Sequence, residues 1–132
     1  MKNSRKTLPL AGMDRESSEM QVQRAILDFT MGDYAAAMEK LDAVLNAQPD
    51  VFEALLAKTE VLYAQEQYDA ARQTAEAAEA VRPDDVHLKT SLSRIWMQIG
   101  DKERAEKYGA EAKMLSWKAE LLQPPTPGAV QN

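Results

Sequence analysis

Gly100-Asp101-Lys102-Glu103-Arg104-Ala105 is the third occurrence of one pattern in this chain. Glu66-Gln67-Tyr68-Asp69-Ala70-Ala71 stands 34 residues earlier, and Gly32-Asp33-Tyr34-Ala35-Ala36-Ala37 stands another 34 residues before that. Pro49 and Pro83 are separated by the same interval. Self-similarity at a fixed period of this size is typical of proteins built from stacked repeats. The sequence therefore predicts three units, at residues 18–51, 52–85 and 86–119.

Composition indicates a single, all-α domain. The chain has 132 residues, of which 45% are hydrophobic, so it can bury one continuous core. Alanine, glutamate, leucine and glutamine dominate its middle, and these residues favour helix. No segment alternates polar and apolar residues in the way that a half-buried strand does.

Charge and residue usage argue against several functional classes. The formal net charge is −5, and the one basic cluster, Lys2, Arg5 and Lys6, lies near the start of the chain, so no nucleic-acid partner is expected. The absence of cysteine rules out a disulfide framework and a thiolate metal site. No apolar run approaches the length of a membrane span, and no secretory leader is recognisable, so a cytoplasmic location without a membrane partner is expected.

Helix boundaries can be predicted from caps and prolines. Ser18 and Gln21 form a capping-box pattern for a first helix that ends near Thr30, and Asp50 and Asp84 are expected to cap later helices. The second helix is predicted at 34–47, the third from its cap at Asp50 to about residue 65, the fourth at 67–81 and the fifth at 86–99, with a sixth from about 102. Trp117 occupies the place of a third proline, so the sixth helix should continue to residue 122 or 123. The domain is thus expected at 15–123, between a flexible head at 1–14 and a disordered tail at 124–132.

Equivalent positions in the three units are expected to form the core. Three such sets share an apolar or small side chain: Met20, Ala54 and Leu88; Leu27, Val61 and Ile95; Ala37, Ala71 and Ala105. The small residue of the third set lets two helix axes approach closely. Because each unit has an apolar face that it cannot bury alone, at least three units must stack to outweigh the loss of chain entropy.

On these features the chain resembles the tetratricopeptide repeat family. The matching residues are Gly32, Asp33, Tyr34, Ala37 and Pro49, then Tyr68, Ala71 and Pro83, then Gly100, Asp101 and Ala105. The resemblance implies a right-handed α-solenoid of three antiparallel helix pairs with an extended last helix. Two polar residues of the first helix, Arg24 and Asp28, stand where the family favours apolar ones, on the side where a preceding repeat would dock. This polar flank would act as a cap of the repeat array. The last helix, in contrast, should present an apolar edge at Met114, Leu115, Trp117, Leu121 and Leu122.

The resemblance also implies a concave groove lined by the first helix of each pair. Transferred by the period, the groove residues are Glu19, Val22, Ile26, Phe29, Glu53, Leu56, Glu60, Tyr63, His87, Thr90, Arg94 and Met97. This apolar stripe edged by carboxylates would suit an amphipathic helix or an extended apolar peptide with some basic character. The alternative is that Val22, Ile26 and Leu56 belong partly to the core.

The function predicted from the sequence is non-enzymatic binding of another polypeptide, as an adaptor or scaffold. The groove or the last helix, with Trp117 as a contact residue, would form the site. Alternatives left open are a secretion-type chaperone, a homo-oligomer (a homodimer through the last helix) and an assembly factor for a tubulin-like filament. The last resembles, in size and repeat type, the short bacterial proteins called kinesin-light-chain-like. His87 is the single histidine and no nucleophile or phosphate-loop motif occurs, so no enzyme, metal or cofactor is expected.

Overall fold

A computed structural model describes residues 14–124, and within that range the chain forms six α-helices and no strand. The helices are α1 Arg15–Thr30, α2 Tyr34–Ala47, α3 Phe52–Ala64, α4 Tyr68–Val81, α5 Val86–Ile99 and α6 Lys102–Leu122. Each odd-numbered helix packs on the even-numbered helix that follows it, so three antiparallel pairs succeed one another. The all-α repeat prediction is confirmed. The predicted head and tail lie outside the described residues, except for Asp14 and Pro124.

The turn inside each helix pair has the same geometry in all three repeats. Its middle residue has a left-handed backbone, with φ of 84° at Gly32, 61° at Glu66 and 102° at Gly100. The next N–H then donates to a carbonyl five residues back: Asp33 to Asp28 at 2.8 Å, Gln67 to Leu62 at 2.9 Å and Asp101 to Trp96 at 3.0 Å. These bonds satisfy carbonyls that the end of a helix leaves free. The 34-residue period is thus reproduced in individual hydrogen bonds.

The first helix starts earlier than predicted. Asp14 is its N-cap, and the Asp14 carboxylate accepts the N–H of Ser17 at 2.8 Å. Ser18, the predicted cap, lies inside α1 and is buried. The capping-box prediction was therefore wrong, because an aspartate four residues upstream provides the same acceptor.

The caps that follow the two prolines are shifted by one residue. Val51, without a side-chain cap bond, precedes α3, whereas Asp50 lies in the turn. At the equivalent place before α5, Asp85 accepts the N–H of Leu88 at 2.9 Å, and Asp84 does not act as the cap. Each proline begins a two-residue turn, so the residue directly after it belongs to the turn and only the next one reaches the cap position.

Two hydrophobic clusters hold the repeats together. One joins repeats 1 and 2 through Val22, Ala25, Ala37, Leu41, Val44, Ala54 and Val61. The other joins repeats 2 and 3 through Phe52, Leu55, Leu62, Ala71, Ala75, Ala78, Leu88, Leu92 and Ile95. The small-residue position is confirmed, since Ala37, Ala71 and Ala105 are all fully or almost fully buried.

Repeat 1 departs from the expected core at two positions. Met20 is 50% exposed and Leu27 is 61% exposed, whereas their equivalents in repeats 2 and 3 are buried. Those equivalents pack against the repeat that precedes them, for example Ala54 and Val61 on α2. Within residues 14–124 no repeat precedes α1, so the same positions face outward. Arg24 is exposed beside them, and Asp28 pairs with Lys40 of α2.

The sixth helix continues beyond the rest of the fold, as predicted. Its 21 residues reach Leu122, and the last of them to be buried is Ala112. Lys89 of α5 contacts Glu111 of α6 at 3.0 Å, which places the start of α5, at Val86, opposite residues near 114. The antiparallel register therefore leaves the turns after residue 115 without a neighbouring helix among the described residues.

Candidate functional site

The predicted groove residues lie on three helices that adjoin one another, since α3 contacts both α1 and α5. The 34-residue period aligns the residues across these helices. At one level the aligned side chains are Ile26, Glu60 and Arg94, and at the next level they are Phe29, Tyr63 and Met97. At the first level the side chain is apolar on α1, acidic on α3 and basic on α5. The groove therefore has two different halves, one between α1 and α3 and the other between α3 and α5.

The half between α3 and α5 is polar and internally connected. Glu60 pairs with Arg94 at 2.9 Å and accepts a hydrogen bond from the hydroxyl of Ser91. The imidazole of His87 lies 3.9 Å from the same carboxylate. The guanidinium of Arg94 also stacks over the ring of Tyr63, 4.8 Å from its centroid. Glu60 is therefore matched by groups of its own chain and offers little free charge to a ligand.

The half between α1 and α3 is apolar. Ile26 is 38% exposed, and Phe29, Leu56 and Tyr63 are half-buried. Phe29 packs on Tyr34 with ring centroids 5.5 Å apart, and Tyr63 packs on Tyr68 at 5.3 Å, so the repeated turn holds both rings in the same way. We call Ile26, Phe29, Leu56 and Tyr63 the apolar strip.

Val22 does not belong to the exposed surface. It is only 2% exposed and sits in the cluster between repeats 1 and 2. The alternative in which some groove residues serve the core thus holds for Val22. Ile26 lies one helical turn further along α1 and remains accessible.

An open recess of about 990 Å³ lies between the start of α1, the α2–α3 turn and the end of α4, and its lining does not include the residues of the apolar strip. Glu19, Val22 and Glu53 are among its lining residues. Glu53 is paired with Arg82 at 3.0 Å, and Arg82 in turn stacks over Phe52 at 4.4 Å. Arg82 was missed in the sequence, because its position before a proline marks a turn and carries no sign of a contact 29 residues away.

The other predicted residues are dispersed. Thr90 and Met97 are exposed along α5, and the hydroxyl of Thr90 donates to the carbonyl of Val86 in its own helix. Trp117 lies on α6, outside the groove, and is 59% exposed. The structure thus gathers Glu60, Tyr63, His87 and Arg94 into one cluster and leaves these residues outside it.

A second charged cluster lies away from the groove, where α4, α5 and α6 meet. The ammonium of Lys89 is 2.9 Å from Glu79 and 3.0 Å from Glu111, and it lies 5.1 Å from the ring centroid of Tyr108. Burial by itself lowers the pKa of Lys89, but the bonds and charges of the two carboxylates outweigh it, so this pKa is raised. The hydrogen bond from Lys89 holds the pKa of Glu111 below its usual value, against the opposing effect of burial.

Neither a metal-ligand cluster nor a membrane-spanning helix is found in the described range. Among residues 14–124, no three His, Cys, Asp or Glu side chains are close enough together to hold a metal ion. None of the six described helices is both long enough and apolar enough to cross a membrane.

Comparison with known proteins supports the repeat assignment. The family described as "Tetratricopeptide repeat" matches residues 28–95. Solved structures with the same fold include the type III secretion translocator chaperone SycD of Yersinia enterocolitica, with a TM-score of 0.75, 18% identity, and coverage of 83% of this chain and 86% of SycD. MamA of MSR-1 matches with a TM-score of 0.70 and 19% identity, covering 77% of this chain and 59% of MamA. The chain therefore spans about three fifths of the length of that MamA chain.

A search of curated protein sequences finds no match. The solved structures share fewer than one residue in five with this chain, so they establish its fold and nothing finer. The repeat itself is matched in sequence over 68 of the 132 residues, from residue 28 to residue 95. On that match, and on the three helix pairs with their common turn, the chain belongs to the tetratricopeptide repeat family.

Proposed function

We propose that this protein is a non-enzymatic adaptor that binds one apolar segment of another polypeptide along the strip formed by Ile26, Phe29, Leu56 and Tyr63. The observation that carries the proposal is the division of the groove. Its α3–α5 half is occupied by a matched ion-pair cluster, whereas its α1–α3 half presents accessible apolar side chains. A concave, mostly apolar surface with a few polar groups at its border is the usual form of a binding site.

The chemistry of the partner follows from the same groups. An amphipathic helix could lay its apolar side on the strip and keep its polar side in solvent. The recess does not select for net charge, because Glu16, Glu19 and Asp50 stand at its wall together with Arg15 and Arg24. The basic character expected of the partner stays a prediction, and the pairing of Glu53 and Glu60 within the chain reduces the number of carboxylates that could support it.

Affinity should be moderate. Burying roughly 150–250 Å² of apolar surface on the strip gives about 4–6 kcal/mol at ~25 cal/mol per Å². Contacts of the partner with the recess must add to this, since association costs on the order of 4–15 kcal/mol. A dissociation constant in the micromolar range is the expected result, which suits a reversible adaptor.

The test uses a photo-crosslinking amino acid placed at position 26, followed by identification of the crosslinked peptide and measurement of its affinity. Ile26→Glu should weaken binding by about 30-fold or more, because it puts a charge into the contact. The double substitution Phe29→Ala with Tyr63→Ala should weaken it further. Met31→Glu is the matched control, since Met31 is 78% exposed and lies outside the strip.

The groove assignment is wrong if Ile26→Glu and the double alanine variant bind the peptide as tightly as the parent chain. It is also wrong if Met31→Glu weakens binding as much as Ile26→Glu does. Circular dichroism of each variant confirms that the helices are intact.

Two narrower versions differ in the client. A chaperone-type role, holding an apolar segment of a client, is supported by the fold shared with SycD, a type III secretion translocator chaperone. A role in assembling a tubulin-like filament, and the cytoplasmic location, stay predictions from the sequence.

A further inference from the structure

We propose that a second copy of this chain covers the projecting end of α6, in a two-fold antiparallel pairing of residues 113–122. Four large apolar side chains are exposed there: Met114 at 62%, Trp117 at 59%, Leu121 at 66% and Leu122 at 75%. Met114, Trp117 and Leu121 are spaced by three and four residues, so they share one side of the helix.

The area suits weak self-association. Met114, Trp117 and Leu121, on the shared side, expose on the order of 400 Å² per chain, taking roughly 150–250 Å² for a large apolar side chain. Two copies together would bury about 800 Å² from these side chains, so we expect a weak dimer with an interface smaller than the standard size. An exposed apolar patch of this size is often functional.

The helix itself needs a partner at this end. Beyond Ala112 no residue of α6 is buried, and the helix nevertheless continues for ten residues to Leu122. Short helices without tertiary contacts are marginal in water, because each residue that is ordered loses conformational entropy. Packing of two such ends against each other would stabilise both.

Charge favours the antiparallel arrangement. Lys113 and Glu120 lie on the same border of the apolar side, seven residues apart, and neither forms an ion pair with any residue between 14 and 124. When two helices run antiparallel about a centre between residues 116 and 117, equal borders face each other, so Lys113 of each copy lies opposite Glu120 of the other. A parallel pairing in register brings opposite borders together and would place Lys113 of one copy near Lys118 of the other.

The main alternative is head-to-tail stacking, in which α1 of one copy packs on α6 of another. The 34-residue period predicts which side chains would meet at such a junction. At the junction of repeats 1 and 2, Asp42 pairs with Lys58 at 2.9 Å. If α1 of one copy packed on α6 of another in the same manner, the two positions would hold Ala110 and Arg24. This ion pair would therefore be lost.

The junction of repeats 2 and 3 gives a stronger objection. There Arg72 stacks over Trp96 at 5.8 Å. In a head-to-tail stack the equivalent positions would hold Glu106 and Asp28, two acidic residues. The two ends of the array are thus not complementary to each other, which leaves pairing of like ends.

Sedimentation velocity of the full chain from about 1 to 200 µM tests the proposal. The wild type should shift from 14.7 kDa toward twice that mass within this range. Leu121→Glu should weaken the dimer by at least ~30-fold, because it buries a charge in the apolar contact. Met31→Glu, at the opposite edge, and Ile26→Glu, in the groove, should leave the dimer unchanged, which separates this proposal from the groove function.

Charge reversal tests the antiparallel register. Lys113→Glu and Glu120→Lys should each weaken the dimer by about 3- to 10-fold, and the double reversal should restore it. A wild-type chain that stays monomeric at 200 µM overturns the proposal, as does a dimer that Met31→Glu dissociates and Leu121→Glu does not. A double reversal that fails to restore the dimer overturns the antiparallel pairing. Since all of these side chains are exposed, the variants should keep the helix content of the parent.

Discussion

Replacing Lys89 by methionine should destabilise the fold, because Lys89 is the charged centre of the contact among α4, α5 and α6. Its side chain is only 10% exposed and lies about 3 Å from both Glu79 and Glu111. Methionine keeps the aliphatic stem on Tyr108 and removes the charge. Among the described helices α6 packs mainly on α5, and the hydroxyl of Tyr108 also donates to Glu79 of α4 at 3.2 Å, so this cluster is a principal attachment of the last helix.

The magnitude follows from the exposure of the carboxylates that remain. Removing one partner of a fully buried pair costs about 3–5 kcal/mol. Glu79 is 25% exposed and Glu111 is 36% exposed, so water can partly solvate both after the substitution. The expected loss is therefore smaller, about 1–2 kcal/mol, which corresponds to a decrease in Tm of roughly 4–8 °C.

The effect should depend on pH in a defined direction. The pKa of Lys89 is raised, so its stabilising effect is present below its unfolded value of 10.5 and is lost as pH rises through the folded pKa. The pKa of Glu111 is lowered, so its effect is present above its unfolded value of 4.5 and is lost as pH falls through the folded pKa. The difference between Lys89→Met and the wild type should thus be largest between about pH 4.5 and 10.5, and should shrink in acid.

Urea unfolding at pH 7 and at pH 3.5 provides the measurement. Lys58→Met is the matched control, because Lys58 has a single partner, Asp42, that is 47% exposed, and its removal should cost less than ~1 kcal/mol. Adding Glu79→Gln and Glu111→Gln to Lys89→Met should recover part of the loss. The reasoning is refuted if Lys89→Met unfolds at the same urea concentration as the wild type at pH 7, or if its loss is as large at pH 3.5.

The remaining predictions concern helix ends and use urea unfolding of single variants. Glu66→Gly should stabilise the fold by about 0.5–1 kcal/mol, because glycine adopts the left-handed backbone without strain. Gly100→Ala should destabilise it by about 1 kcal/mol for the same reason. A variant as stable as the wild type would contradict the corresponding prediction. Gln67→Asp should stabilise by ~0.5–1.5 kcal/mol by supplying a cap that α4 lacks, and a destabilised variant would show that the turn cannot place the carboxylate. Asp85→Ala should cost about 1 kcal/mol, whereas Asp50→Ala, its control without a capping role, should cost little; the reverse order would disprove the assignment of the cap.

Local features could be predicted from the sequence with good accuracy. Tyr34–Ala47 and Val86–Ile99 begin and end at the predicted residues, because turns and prolines set their limits. The continuation of α6 to Leu122 followed from the absence of a proline at Trp117. The cap predictions at Ser18, Asp50 and Asp84 failed, since several nearby polar residues can serve as a cap and the turn geometry decides among them.

The candidate site was predictable only as a set of positions. The period placed Ile26, Glu60 and Arg94 at one level, but the ion pair between Glu60 and Arg94 depends on the distance between α3 and α5. The pairing of Glu53 with Arg82 likewise depends on where α4 ends relative to the start of α3. Sequence periodicity describes which residues are equivalent, and it contains no information on which of them touch.

The sequence by itself determined the number of repeats, the helices and the small residues at their crossings, because these depend on local propensity and on a period that any reader can count. Only the tertiary structure decided that Met20 and Leu27 face outward while their equivalents are buried, that Lys89 is enclosed by two carboxylates, and that half of the groove is taken up by an ion-pair cluster. The physical reason is that burial and pairing are properties of neighbours. A repeat unit at the edge of an array shares the period and the turn of an inner one, but it has one neighbour fewer.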